Sequence, residues 1–309
     1  MNIKWLGLTE YCELNILKNR ECMRFKHIRG VKMKIVLLFI SPNTTTKMAT
    51  NKIKQILLKN GHIVTLLNIG KENNRDFKNI DFSIFKEVDL IGIGTPIYHL
   101  TIIEPMKKFL DFGLSKIKKQ NPRINAFIYF TYSGITSGKA LYHSVKLLKQ
   151  NEISLVGAAK LKAPHFREAC SYPNKTATKV IEEYMEKLIQ KNFKTIRWKE
   201  VYKVARKRKI IVNAIYPFSK KIGKIREQKI TILKDKCIGC KKCVKECVVN
   251  AIKFDSYISI DDKKCIHCYH CRTICPVEAI KCDIDKVYKI IELNKKIVGM
   301  EFPQNDILV

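Results

Sequence analysis

The chain has 309 residues, 46% of them apolar, and 59 Lys and Arg against 28 Asp and Glu, a formal net charge of +31. That length holds one large domain or two ordinary ones, and that apolar share is enough to bury a full core. The longest apolar runs, 35–40 and 210–218, fall far short of the roughly 18 residues of a membrane span, so a soluble chain is expected.

Such a charge points first to nucleic acid, but its distribution argues against that partner. Residues 191–229 carry fourteen Lys or Arg against two acids, whereas 235–285 carry nine against eight. The excess suits solvated lysine-rich faces or attraction to an acidic redox partner or membrane surface.

In chain order, residues 1–32 show no periodicity and read as an N-terminal appendage, with Cys12 and Cys22 isolated and Met33 a natural first residue of the fold. From 33 the pattern alternates between short apolar runs and helical segments, as a parallel α/β sheet requires. Strands are expected at 33–40, 62–69, 88–94, 124–131 and 153–161. Helical faces lie between them: Ile102, Ile103, Met106, Phe109 and Leu110, then Leu141, Val145 and Leu148, then Val180, Ile181, Tyr184, Met185, Leu188 and Ile189. Five such strands suggest an open doubly wound sheet, whose ligands bind outside the carboxyl ends of the strands.

Three loops fall at that edge: 41–46, 95–101 and 132–138. In the first, Ser41, Asn43, Thr44, Thr45 and Thr46 precede a helix start and have the capacity to hold a phosphate there. Threonines at a helix start are also ordinary N-caps, so a capped helix without ligand is the competing reading. His99, His143 and His165 show neither ligand nor triad spacing, and Cys170 is unassigned. No acid–base pair or nucleophile constellation is visible, so no catalytic residue is assigned.

This part resembles the flavodoxin-like domains: a hydroxyl-rich turn after strand one, Gly92-Ile-Gly-Thr-Pro-Ile-Tyr98, Pro105 to Leu110, and the Tyr132-Ser-Gly loop. The resemblance implies FMN, its phosphate on Ser41, Asn43, Thr44, Thr45 and Thr46, and its ring near Thr95, Pro96, Tyr98, Tyr132, Ser133 and Gly134. Tyr98 is the first stacking candidate and Tyr132 the second. Where the family usually has glycines, this loop has Pro42 and Thr44, which removes one N–H donor and a permissive backbone position.

A basic connector, 192–229, contains Arg206-Lys-Arg-Lys209 and an apolar run at 210–218 expected to pack on one of the domains. Then Cys237, Cys240, Cys243 and Cys247, followed by Cys265, Cys268, Cys271 and Cys275, repeat C-x2-C-x2-C-x3-C at an interval of twenty-eight residues. Flanking residues repeat too: Val249, Ala251, Ile252 and Lys253 match Val277, Ala279, Ile280 and Lys281, implying two similar halves. Soft thiolates suit iron–sulfur clusters. Zinc sites use pairs of C-x2-4-C rather than triplets with a remote fourth ligand, and a disulfide framework lacks a secretory signal.

The cassette resembles the bacterial-type dicluster ferredoxins. The resemblance implies two 4Fe-4S clusters, one on Cys237, Cys240, Cys243 and Cys275 and the other on Cys265, Cys268, Cys271 and Cys247, because the fourth cysteine of each copy serves the other cluster. Val248 stands where the second copy has Pro276, and Cys282 is left over. At about −2 per oxidised cluster, the loaded cassette carries roughly three net negative charges.

As a whole the chain is similar to ferredoxins with an N-terminal flavodoxin-like domain, laid out as 1–32 appendage, 33–191 flavodoxin-like, 192–229 connector, 230–290 dicluster domain and 291–309 tail. The implied function is cytoplasmic electron transfer between FMN and redox partner proteins, with no transmembrane segment. The competing readings are a flavin-free docking module and an enzyme reducing a small substrate at FMN.

Overall fold

The computed structural model describes residues 32–134, 137–164, 172–206, 228–298 and 307–309. Cys12, Cys22, His165, Cys170, residues 207–209 of the basic cluster and the apolar run 210–218 lie outside them. The strands are β1 (Lys34–Phe39), β2 (Ile63–Asn68), β3 (Leu90–Tyr98), β4 (Thr101–Ile102), β5 (Asn125–Tyr132), β6 (Ser154–Lys162), β7 (Thr231–Ile232), β8 (Ile252–Phe254), β9 (Ile258–Ile260), β10 (Ile280–Lys281) and β11 (Ile307–Leu308). The helices are α1 (Thr45–Lys59), α2 (Glu104–Gln120), α3 (Ala140–Gln150), α4 (Lys175–Gln190), α5 (Lys242–Glu246), α6 (His270–Thr273) and α7 (Ile284–Val298).

The main sheet runs β11-β6-β5-β3-β1-β2, with β4 paired to β3. Its five parallel members, in the spatial order second, first, third, fourth, fifth, have the flavodoxin-like doubly wound arrangement. Position in the sheet follows from the side chains. β1 buries five of its six residues on both faces, as an inner strand must, whereas β2 is largely exposed at the edge. Helices α2 and α3 cover one face through Met106, Phe109, Leu114, Val145 and Leu148. Helices α1 and α4 cover the other through Ala49, Ile53, Leu57, Ile181, Tyr184 and Leu188.

The Gly92-Ile-Gly94 pair has a packing cause. A Cβ at Gly94 would lie 2.4 Å from the Tyr129 ring and one at Gly92 2.4 Å from Phe127, so glycine lets the β5 aromatics lie across β3. The Tyr129 hydroxyl can then hydrogen-bond with that of Thr50 in α1 at 2.7 Å.

The five expected strands are present, and four details differ. β3 continues to Tyr98, and a tight turn with His99 and Leu100 both at positive φ (47° and 65°) returns as β4. That backbone twist matches a two-residue hairpin, so most of the expected loop 95–101 is strand, with only His99 and Leu100 in the turn. Residues 192–206, expected to begin the connector, belong to the first core: Val201 and Ala205 are fully buried and the Ile196 N–H donates to the Leu155 carbonyl. Helix α7 runs through the expected boundary at 290. The expected tail returns to the sheet, where β11 pairs antiparallel with β6.

In the cassette, β7 pairs with β10 and β8 with β9, antiparallel. The internal repeat is visible in the backbone: positive φ recurs at Gly239 and His267, Lys241 and Tyr269, Asn250 and Glu278. The N–H groups of Ala251 and Ala279 point at the sulfurs of Cys247 and Cys275 at 3.3 and 3.2 Å.

Candidate cofactor sites

At the carboxyl edge, the first loop leads into α1 through Thr44, which takes the left-handed conformation, φ 71°, without glycine. Asn43, Thr45 and Thr46 are buried. Their side chains are largely engaged within the protein. The Thr45 hydroxyl donates to Asn43 Oδ1 (2.9 Å), that of Thr46 pairs with Thr131 (2.7 Å), and Ser41 Oγ accepts from the Lys47 N–H (3.0 Å). What the loop presents is backbone: the first turn of α1 has N–H groups without intrahelical acceptors, and a left-handed residue before a helix curls such groups into an anion-binding concavity. The first turn carries no acid to repel an anion.

The other two loops meet each other. Leu100 accepts from the Lys139 N–H (2.6 Å), and a Cβ on Gly138, whose φ is +53°, would lie 2.1 Å from the Leu100 carbonyl oxygen, so only glycine fits there. Thr95 is fully buried and its hydroxyl donates to the Pro96 carbonyl. Tyr132 is buried with the Lys160 ammonium 5.5 Å from its ring centre. Ser133 is half-buried, and Gly134 at φ 88° runs beside the Lys162 side chain. Burial raises the Tyr98 pKa well above its usual value, with smaller contributions from Cys268 and Tyr269 of the cassette. Tyr98, the first stacking candidate, is half-buried and packs against the first core.

In the cassette the cysteines line two cavities. Cys237, Cys240, Cys243 and Cys275 share one with Ile232, Ile258 and Pro276; Cys247, Cys265, Cys268 and Cys271 share the other with Ile230, Tyr269 and His270, Cys243 adjoining. Each fourth cysteine thus lies with the opposite triplet. Among the described residues no three His, Cys, Asp or Glu are gathered for a single metal ion; the sulfurs are arrayed around cavity walls. Burial pushes Cys243 up to about 11 and Cys268 up to about 12, and raises Cys271 further. Thiols so placed ionise only against strong positive charge, which iron supplies. Backbone N–H groups directed at Cys247, Cys275 and Cys265 are the kind of contact that tunes a cluster. Cys282 is half-buried against Tyr269 and α7 rather than on a cavity wall.

Two further residues complete the picture. Arg75, in the polar stretch between β2 and β3, donates to Asn250 Oδ1 (2.8 Å) and to the Lys245 carbonyl. Val248 packs against the first core.

Strand order and cysteine-lined cavities together define an α/β domain of flavodoxin-like fold followed by an iron–sulfur domain. Residues 236–279 match the family model of the 4Fe-4S dicluster domain. No curated protein matches the chain. Solved structures similar to its N-terminal half include an archaeal flavodoxin, at 15% identity over 51% of this chain and 99% of that one with a TM-score of 0.36. A Fusobacterium nucleatum flavodoxin bound to flavin mononucleotide shows 14% identity over 52% and 99%, with a TM-score of 0.39. The fold assignment itself rests on the strand order. Among the described residues no helix is long and apolar enough to cross a membrane.

Proposed function

We propose that this chain is an electron-transfer protein that holds two 4Fe-4S clusters and relays electrons between FMN in its flavodoxin-like domain and redox partner proteins. The observation that carries this reading is the pair of cysteine-lined cavities, each joining one triplet to the fourth cysteine of the other copy, on a chain whose main sheet has the flavodoxin-like strand order. When bound, FMN supplies two-electron exchange and each cluster one-electron exchange.

The chain's own groups fit these roles. Cys237, Cys240, Cys243 and Cys275 hold one cluster and Cys247, Cys265, Cys268 and Cys271 the second. The backbone N–H groups at 43–46 hold the FMN phosphate, and Tyr98 flanks the ring. Gly138 and Leu100 fix the loops that close over it. Lys236, Lys241, Lys242, Lys245, Lys263 and Lys264 favour the reduced, more negative clusters and offer an acidic partner a complementary face.

The test is anaerobic: photoreduction of added FMN bound to the chain, with cluster bleaching followed in the visible. Bleaching that depends on bound flavin supports the relay, and bleaching at the rate of free flavin sinks it. A second reading, a flavin-free docking module, is favoured by one specific observation: Pro42 lacks an N–H, and the hydroxyls of Ser41, Thr45 and Thr46 are committed within the protein. Flavin-free protein that takes up no FMN would decide for it.

A further inference from the structure

The two cysteine cavities are pseudo-symmetric, yet their surroundings differ. Cys240, on the wall of the first, is exposed, and its neighbour Ile238 is 65% exposed. The second cavity takes Cys247, in the stretch 245–250 that touches the other domain through Lys245, Val248 and Asn250. The contact that sets this orientation is built from the stretch 245–250.

Arg75 spans the junction. Its Nε donates to the Gly70 carbonyl in its own domain at 3.0 Å, while the two terminal nitrogens reach the Lys245 carbonyl and Asn250 Oδ1 in the cassette. Beside it, Val248 faces Gly70: a Cβ added there would meet Val248 Cγ1 at 3.0 Å and Ile40 Cγ1 at 3.1 Å, so the bare backbone of Gly70 is a seat for the valine. Val248 is also where the two copies of the repeat part company, since the matching residue is Pro276, and Asn250 is matched by Glu278. The first copy carries an apolar knob and a neutral acceptor where the second carries a proline and a carboxylate. The two cassette acceptors, the Lys245 carbonyl and Asn250 Oδ1, lie on either side of Cys247 in the chain, which holds the guanidinium beside that cysteine's stretch.

We propose that Arg75 is a positioning residue that latches the 245–250 stretch onto the flavodoxin-like domain, so that the cluster of Cys247, Cys265, Cys268 and Cys271 is the inner one and that of Cys237, Cys240, Cys243 and Cys275 the outer, partner-facing one. This rests on the proposed two-cluster reading. The latch fixes distance and adds one positive charge to the inner site alone. The fork geometry matters as well as the charge, because only a planar guanidinium serves three acceptors in two domains.

The experiment uses the full-length loaded chain. Arg75→Gln is expected to speed amide hydrogen exchange across 245–250 by roughly tenfold, the scale of one lost charge-assisted hydrogen bond. In an EPR-monitored redox titration it lowers the potential of one reduction step and leaves the other in place. Arg75→Lys restores that potential but not the slow exchange. Lys241→Gln, next to Cys240, moves the other step. Val248→Pro is an independent second variant: the extended backbone of Cys247 (φ −76°, ψ 98°) accepts a following proline, so the clusters are retained while the contact with Gly70 is lost. It too speeds exchange at 245–250. Unaltered exchange in both Arg75→Gln and Val248→Pro, or equal shifts of both steps in Arg75→Gln, overturns the latch. Iron and sulfide assays on the same samples separate the two failures: a wild-type chain without sulfide fails the two-cluster reading, whereas full clusters with unaltered exchange fail the latch alone.

Discussion

Thr44→Gly is expected to stabilise the protein. Thr44 sits at φ 71° at the start of α1, makes no side-chain capping bond, and is half exposed. A non-glycine residue in the left-handed region costs about 1–2 kcal/mol, and glycine returns about 0.5–1 kcal/mol of that through its greater freedom in the unfolded chain. The balance is a gain of about 0.5–1 kcal/mol, or roughly 1–4 °C in Tm for a domain of this size. Thr44→Ala retains the Cβ and should change little. Thermal melts followed by far-UV circular dichroism, with and without FMN, compare the three chains. FMN should raise the Tm of Thr44→Gly at least as much as that of wild type, because the backbone rather than the hydroxyl receives the phosphate. A loss of stability in Thr44→Gly, or equal behaviour of the glycine and alanine variants, would refute the claim that strain is held at this loop.

Tyr129→Phe removes a buried hydroxyl bonded to Thr50 at 2.7 Å and should cost about 1–2 kcal/mol by denaturant unfolding; no loss would mean that the pair is not formed. His62 is buried against Phe193, its Nδ1 accepting from the Met33 N–H, and burial lowers its pKa below the ordinary 6.5. The unfolded chain therefore takes up a proton that the folded chain resists, so this contribution is full above about pH 6.5 and is lost as pH falls below it. His62→Gln should flatten the decline in denaturation midpoint between neutral and mildly acidic buffer. Cys275→Ser should abolish the cluster shared with Cys237, Cys240 and Cys243 and leave the other, so that iron falls by about half and one of two reduction steps disappears. Loss of the inner step instead would contradict the crossed arrangement.

Much of this molecule is legible in its residues. Short apolar runs such as 35–40, bounded by turn residues and alternating with helical segments, fit inner parallel strands, and eight cysteines at fixed spacing announce their cavities. What escapes has no local signature. The turn after Tyr98 uses His99 and Leu100 where Asn-Gly would signal a hairpin, and Thr44 takes a glycine's conformation because the start of α1 demands it. β11 pairs with β6 from about 150 residues away, beyond any periodicity argument. Arg75 lies in a polar stretch that reads as loop; its role exists only once Asn250 and Lys245 are folded beside it. The missing proline at Val248 was readable as a departure from the repeat, but its cause, the seat at Gly70, belongs to tertiary structure.

Iron, acid-labile sulfide and flavin per chain after anaerobic purification test the central claim most directly. The account predicts about eight irons and eight sulfides with one FMN. Zinc without sulfide would contradict the clusters, and full iron with no flavin taken up would contradict the relay.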